Sequence, residues 1–409
     1  MVRKVKCNIG GKIREFEVYE NPVPHIIVDT VKSVVHGWYY GFREGKRECS
    51  SERILLNPYN GCTVNCPMCY SRSFKGYFDL WNKYGVVTVF RDFDDKLKRE
   101  LDTLYWASCG YLSPATEPFQ RPLENLYHLS EKAANVMLNL NLPVNITTKQ
   151  GDNVPYSLIK RLAEHPYGHC ILQFTILSLN EDVNEIFAPN ASSFEDQLKS
   201  VRLSADMGIH TVIRMDPILP GITDNIKEIE YLVERGRDEG ASHFIFSVCD
   251  IGWFNDPRRR KLFKIVKEHF PSAYDVWRRI YRFSSDGDIT YRKKLFKHIR
   301  RICDNLGVTM ALCMEFEKIK VGDKIIYKGL NDEFMSSKTC DGSLTPIYYR
   351  STLSEPFKPL EKCNGACLLC AKGLQKPTCN IKKFINADSL TLRDYKHMKP
   401  KLSNLKSFI

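Results

Sequence analysis

From Arg53 onward the chain alternates two apolar patterns: short runs of consecutive apolar and β-branched residues, and longer stretches whose apolar positions recur at helical spacing. The short runs predict strands over 53–57, 104–112, 142–148, 170–178, 210–217 and 243–250. Between them the helical stretches have readable faces and ends. Leu126, Leu129, Ala133, Val136 and Leu140 share one stripe, Pro155 suits a first helical turn after Asn153, Ser193 with Asp196 reads as a capping box, and Gly208 and Gly240 fall where helices stop. A strand followed by a helix, repeated along the chain, is the pattern of a parallel sheet with crossovers. Residues 1–50 precede this repeat and are expected to cap it, with Cys7 and Cys49 isolated there; residues 321–409 follow as a Cys-rich tail.

In a parallel barrel the loops after the strands gather the chemistry, and here those loops are the polar part of the pattern. After the first strand Asn57-Pro58-Tyr59-Asn60-Gly61-Cys62-Thr63-Val64-Asn65-Cys66-Pro67-Met68-Cys69-Tyr70 places three thiols within eight residues on a Gly- and Pro-containing loop. Thiolates are the ligands that soft metals and iron–sulfur clusters select. Three are one fewer than a closed zinc site or a fully ligated four-iron cluster takes, which leaves a distant fourth ligand or one open metal position. Later loops begin with Ser113-Pro114-Ala115-Thr116-Glu117-Pro118-Phe119-Gln120, with Thr147-Thr148-Lys149, with Ser178-Leu179-Asn180, with Arg214-Met215-Asp216-Pro217 and with Cys249-Asp250. Each offers hydrogen-bonding or charged groups to a ligand.

Cys-x3-Cys-x2-Cys followed by an aromatic, directly after Ile54-Leu55-Leu56, resembles the radical S-adenosylmethionine (SAM) superfamily, and Asn-Pro-Tyr-x-Gly-Cys is similar to its spore photoproduct lyase and DNA-repair-photolyase-like subgroup. The resemblance spans about residues 55–320 and implies an α/β fold, a partial (β/α)6 TIM-like barrel over 51–320. It implies a [4Fe-4S] cluster on Cys62, Cys66 and Cys69 whose open iron chelates SAM, reductive cleavage of SAM to a 5'-deoxyadenosyl radical, and a small electron donor such as ferredoxin or flavodoxin. For the cofactor it implies Tyr70 near the adenine, and Ser113, Thr116, Glu117, Lys149, Ser178 and Arg214 as binding residues; Glu117 stands where the subgroup has Asp. The wider family's Gly-Gly-Glu after the second strand is absent. Cys109 falls in the region where the lyases keep a hydrogen-donating cysteine, and is also what a small buried strand residue looks like.

Composition sharpens the setting. Fifteen cysteines, an N-terminus without the apolar core of a signal peptide, and no apolar run long enough to span a membrane predict a cytoplasmic protein with reduced thiols. The formal charge is +12, and residues 251–301 hold fifteen Lys or Arg against five Asp or Glu. Trp253, Phe254, Phe263, Phe270, Tyr274, Trp277, Tyr281, Phe283, Tyr291 and Phe296 interleave with them, a combination suited to the backbone and bases of DNA or RNA. Leu262, Ile265, Val266 and His269, then Leu295, Ile299, Ile302 and Leu306, follow helical spacing and suit a core face instead.

In the tail Cys363, Cys367 and Cys370 repeat the triad spacing, Cys379 follows, and Cys340 or Cys313 can add a ligand. Such a set suits a fully ligated second iron–sulfur cluster or a structural zinc. The expected function is a radical SAM enzyme abstracting hydrogen from a substrate such as a nucleic-acid base, in a lyase, repair or modification reaction. The alternatives are a radical SAM enzyme acting on a protein, peptide or small molecule, and a non-catalytic zinc-containing nucleic-acid-binding protein.

Overall fold

The computed structural model describes residues 2–37, 53–371, 373–385 and 390–398; Cys49 lies outside them. Seven parallel strands lie side by side in chain order: β1 (Ile54–Leu56), β2 (Gly110–Leu112), β3 (Val144–Thr148), β4 (Ile171–Thr175), β5 (His210–Ile218), β6 (His243–Val248) and β7 (Thr309–Leu312). β1 and β7 are the two edges of the sheet. This is a partial TIM-type barrel. Successive strand residues point to opposite faces. Leu172, Phe174, Ile213, Met215, Phe244 and Phe246 join the main core with the crossover helices, whereas Ile171, Val212 and Ile245 form a separate small cluster on the other face with Cys313.

Polar residues share that second face. Gln173 Nε2 donates to Asn145 Oδ1 (2.6 Å), and Arg214 Nη1 donates to Gln173 Oε1 (2.8 Å). The tail reaches the same network from the N-terminal side of the strands. Asp341 pairs with Arg53, both buried, and Gln173 Nε2 donates to Asp341 Oδ1 at 3.3 Å. His210 Nε2 lies 2.7 Å from the Asp341 carbonyl oxygen, and His243 Nε2 lies 3.1 Å from that of Cys340. The segment around Cys340 thus forms a floor beneath the barrel.

Three features depart from the pattern in the sequence. The apolar run 104–112 is divided: Trp106–Ala107 pairs with Tyr348–Tyr349 in a separate three-stranded sheet, and only Gly110–Leu112 enters the barrel. The sheet also gains a seventh strand, β7, beyond the six that the pattern showed. Helix ends are better matched. Ser193 accepts from the Asp196 amide, and Gly208 and Gly240 follow helix ends with φ of 80° and 96°. The stripe that begins at Leu126 is broken, because His128 is left-handed (φ 53°) and leaves Leu126 exposed on a separate short helix.

A second sheet lies beside the barrel. Val2–Ile9, Lys12–Tyr19 and His25–Val28 continue through Val87–Phe90 to Tyr59–Asn60, so the N-terminal strands are joined to the chain that leads into the cysteine loop.

Packing of helices on the outer sheet face predicts one sensitive site. Gly236, within the helix Ile226–Asp238, has no room for a side chain: a Cβ would lie 2.4 Å from Ile213 Cδ1 and 3.0 Å from the Phe244 ring. Gly236→Ala is expected to cost about 1–3 kcal/mol by overpacking, measured by denaturant unfolding of the metal-free protein; an unchanged midpoint contradicts the tight helix–sheet contact.

Candidate active site

The residues predicted to hold the first cluster and SAM, Arg214 within β5 excepted, lie on loops that follow the C-terminal ends of the barrel strands. The cysteine loop follows β1, and its bends are set by sequence. Gly61 has φ 90° and its missing Cβ would lie 2.8 Å from Trp81; Asn65 takes φ 60°, a conformation asparagine tolerates. Side chains then pin the loop from several elements. Gln120 accepts from the Thr63 amide (3.0 Å), Trp81 Nε1 donates to the Cys62 carbonyl (3.1 Å), Arg72 Nε donates to the Cys66 carbonyl (3.0 Å), and Asn190 donates to the Thr63 carbonyl (2.8 Å). Behind it, Val64, Cys66 and Met68 pack with Leu262, Val266, Trp277 and Tyr281. Part of the basic, aromatic segment is therefore the wall that supports the thiols.

Cys66 is buried, and Cys62 and Cys69 are half-buried. Among the described residues no three His, Cys, Asp or Glu side chains close around a single metal ion. The donor chemistry fits a cluster. The three thiols are near enough to influence one another's ionisation, burial pushes Cys62 up, and burial likewise pushes Cys66 up to about 12 while Lys149 and Arg72 pull it back. The Glu117 amide also stabilises the Cys62 thiolate. In the metal-free protein Cys62 and Cys66 hold their protons, and ligation must displace them.

Glu117 ties the second and third loops together. Its carboxylate accepts from the Thr148 hydroxyl (2.5 Å), the Lys149 amide (2.6 Å) and the Phe119 amide (3.1 Å), and burial holds its pKa above the ordinary value despite these bonds. The Lys149 ammonium lies within electrostatic reach of Cys66, Glu117 and Asp216. Tyr70 donates its hydroxyl to the Pro114 carbonyl, which joins the cysteine loop to the second loop. The Ser178 hydroxyl accepts from the Asn180 amide at 3.0 Å. Arg214 points into the barrel network, paired with Asp216, which also accepts from Ser247. Burial alone would raise the Asp216 pKa; Arg214, Ser247 and Lys149 hold it below the usual value.

Three hydroxyls at these loops are buried without a hydrogen-bond partner: Ser113, Thr116 and Thr63. An unpaired buried hydroxyl costs free energy unless something bonds to it, so each is a candidate contact for a bound cofactor. Ser113 and Thr116 stand out in the sequence by their place after a strand. Thr63 does not, because between two cysteines a threonine reads as a spacer.

Some predicted residues lie elsewhere. Cys109 immediately precedes Gly110, so it stands at the N-terminal end of β2 while the triad follows the C-terminal end of β1. Its thiol is buried and pushed up to about 11, and it neighbours Arg53, Tyr348 and Cys170. The division of 104–112 into two strands is the reason: Cys109 does not end the barrel strand, it precedes it. In the tail, Cys363, Cys370 and Cys379 are mutual neighbours. Cys367 is buried near Tyr395, and Cys340 belongs to the barrel floor, its Sγ 3.9 Å from Asp341 Oδ1. Cys313, just past the C-terminal end of β7, packs against the barrel's small inner cluster.

The Radical SAM superfamily profile matches residues 56–235, which run from the end of β1 past β5 and include the triad and the four loops that follow it. The chain carries a radical SAM domain. Over nearly its whole length it is also similar to a radical SAM Nalpha-GlyT isomerase of Pseudomonas phage M6, at 28% identity over 413 residues, covering 97% of this chain and 83% of that protein. Among solved structures, a spore photoproduct lyase variant with bound AdoMet and dinucleoside spore photoproduct superposes with a TM-score of 0.47 at 15% identity, over 70% of this chain and 81% of the other. Streptococcus suis SuiB bound to S-adenosylmethionine gives 0.42 at 11% identity, over 64% of this chain and 49% of the other. In the radical SAM domain of this chain, the cysteine loop depends on a residue without a side chain. Gly61→Ala forces a Cβ into Trp81 at a strained φ and is expected to lower the iron bound per chain to less than about half after anaerobic reconstitution, counted by colorimetric iron assay. Full iron uptake by the variant contradicts the described seating of the loop.

Proposed function

We propose that this radical SAM enzyme binds its cluster through Cys62, Cys66 and Cys69, holds SAM against the loops after β1 to β5, and rearranges a substrate presented by a nucleic acid. The observation that carries the cofactor reading is the convergence of three neighbouring thiols with three unpaired buried hydroxyls and Lys149 at one end of the barrel. When bound, the cluster and SAM supply the reductive cleavage that generates a hydrogen-abstracting radical. The chain's own residues bind and orient. Lys149 offers an ammonium to a carboxylate, while Ser113, Thr116 and Thr63 offer hydroxyls to polar groups of the cofactor. Ser178 and Tyr70 lie on the loops after β4 and β1, and are assigned to the adenosine part of the cofactor. Glu117 fixes the direction of the Lys149 backbone and so positions its side chain. Leu112 and Ile146, at the ends of β2 and β3 beneath these loops, belong to the main core and anchor the strand ends that carry the site.

The isomerase activity of the full-length phage relative favours rearrangement over cleavage as the overall outcome. In an isomerisation the hydrogen removed from one carbon is balanced by a hydrogen returned to another, so no external oxidant is consumed by the substrate. Replacing Cys62, Cys66 and Cys69 together with Ala is expected to abolish 5'-deoxyadenosine formation from SAM in dithionite; continued formation contradicts the assignment. The same protein tests the tail. We assign an auxiliary iron–sulfur centre to the group containing Cys363, Cys370 and Cys379, with Cys367 one helical turn from Cys370, and about four irons per chain should remain in the triple variant. Zinc alone contradicts that centre.

The nucleic-acid partner is supported by what stays on the surface of the basic segment. Trp277, Tyr281 and Phe296 are core, and Arg258 and Arg259 are buried, the first paired with Asp256 and the second donating to the carbonyls of Tyr281 and Ser284. Trp253, Phe254 and Phe283 remain exposed, each with a cation over its ring: Lys318 at 4.7 Å, Arg259 at 4.5 Å and Arg282 at 4.9 Å. Lys318 belongs to the antiparallel ribbon Phe316–Val321 and Lys324–Gly329, which follows β7 at the same end of the barrel as the triad and also exposes Lys320, Lys324 and Lys328. Aromatic faces and lysines together suit bases and phosphates. Trp253→Ala combined with Phe283→Ala should weaken retention of a DNA oligonucleotide about fivefold or more with iron content unchanged. Equal retention across a salt series contradicts this surface.

A further inference from the structure

Arg72 stands three residues beyond the last cysteine of the triad, outside the Cys-x3-Cys-x2-Cys motif, and the spacing of that motif does not require a cation there. Its contacts nevertheless lead back to all three cysteines. The backbone amide of Arg72 donates to the Cys69 carbonyl (3.2 Å), and the guanidinium Nε donates to the Cys66 carbonyl (3.0 Å). Nη2 donates to Asn65 Oδ1 at 2.7 Å and, more distantly, to the Asn65 carbonyl at 3.4 Å. The guanidinium plane lies 4.1 Å from the Trp81 ring, and Trp81 Nε1 in turn donates to the Cys62 carbonyl. Asn82 Nδ2 fixes the Arg72 carbonyl from the other side at 2.7 Å.

The charge of this residue is the unusual part. Its polar contacts are to carbonyl and amide oxygens, and among the described residues no Asp or Glu forms an ion pair with it. The titratable groups around it are the three thiols, which become anionic on ligation, and further cations, Arg258 and Lys261. A half-buried guanidinium pays a desolvation cost that a carboxylate ordinarily offsets. Here the available counter-charge is an anionic group on Cys62, Cys66 and Cys69. Arginine suits the position because it remains charged when partly buried and presents several donors in a fixed plane, so it can stack on Trp81 and grip the loop at once.

We propose that Arg72 is a positioning residue for the iron–sulfur site, clamping the triad loop through its planar donors and supplying the fixed positive charge that stabilises the reduced, more anionic state of the cluster. The proposal rests on the reading that Cys62, Cys66 and Cys69 hold that cluster. Reduction adds one electron from a low-potential one-electron donor, and a fixed cation beside the ligands favours the state carrying the extra negative charge.

The experiment uses the full-length chain with Cys363, Cys370 and Cys379 replaced by Ser so that only the triad's cluster is read, reconstituted anaerobically with iron and sulfide, with residue 72 as in wild type, as Arg72→Met and as Arg72→Lys. Iron and sulfide are counted first. A wild type without a cluster defeats the underlying reading, independently of Arg72. With clusters present, dye-mediated redox titration followed by electron paramagnetic resonance gives the reduced fraction at each potential. Arg72→Met is expected to lower the reduced-to-oxidised ratio at fixed potential about tenfold, equivalent to about 59 mV for one electron, and Arg72→Lys, which keeps the charge, to recover most of that loss. A midpoint unchanged in an iron-replete Arg72→Met protein overturns the proposal. If Arg72→Met takes up no iron, Arg72→Lys decides: a midpoint near that of wild type upholds the charge role, and one lowered by about 59 mV or more, a tenfold loss in the reduced-to-oxidised ratio, in an iron-replete protein overturns it.

Discussion

The arrangement depends on holding three cysteines on a stretch of chain that has no regular hydrogen-bonding partner of its own. A helix or strand satisfies its backbone internally, but the loop after β1 must borrow donors and acceptors from elsewhere. It does so from Gln120, Trp81, Arg72 and Asn190, residues of four different segments. Each of those is fixed in turn by packing, so the position of the thiols is set by the whole C-terminal rim of the barrel. The N-terminal sheet takes part as well, since Tyr59–Asn60 forms its edge strand immediately before Gly61.

Burial and charge then act in opposition at this rim. Enclosing thiols raises their pKa values and disfavours the ligating thiolate, while Lys149, Arg72 and the Glu117 amide favour it. Glu117 contributes through its backbone to a cysteine and through its side chain to Thr148 and Lys149, so a single residue links the cysteine loop to the third strand. At the opposite end, the Arg53–Asp341 pair and the carbonyls of Cys340 and Asp341 close the barrel with polar contacts. The polar residues of the inner face are thereby bounded by the cysteine loop at one end and by the tail at the other.

Much of this was legible in the sequence because its cause is local. The spacing of Cys62, Cys66 and Cys69 and the apolar run before them are properties of seventeen or so consecutive residues, and the strand–helix alternation carried the parallel sheet. What remained hidden depends on residues far apart in the chain. Trp106–Ala107 leaves the barrel because it pairs with Tyr348–Tyr349, and that pairing moves Cys109 to the N-terminal end of β2. β7 has four residues, too few to show a periodicity after a long basic helix. In the segment 251–301, charge and aromaticity did not reveal which side chains face the core: Trp277 and Tyr281 support the cysteine loop, whereas Trp253, Phe254 and Phe283 face solvent. Thr63 and Arg72 acquire meaning only from what the fold brings beside them.

The central claim is that the triad presents three thiolate ligands to a cluster and leaves one iron for SAM. Mössbauer spectroscopy of the anaerobically iron-loaded protein, with the tail cysteines Cys363, Cys370 and Cys379 replaced by Ser so that one site is observed, tests it most directly. The account predicts a [4Fe-4S] spectrum in which one iron changes its parameters on addition of SAM while the other three do not. Four irons indifferent to SAM, or a protein that binds zinc and no iron at the triad, would contradict it.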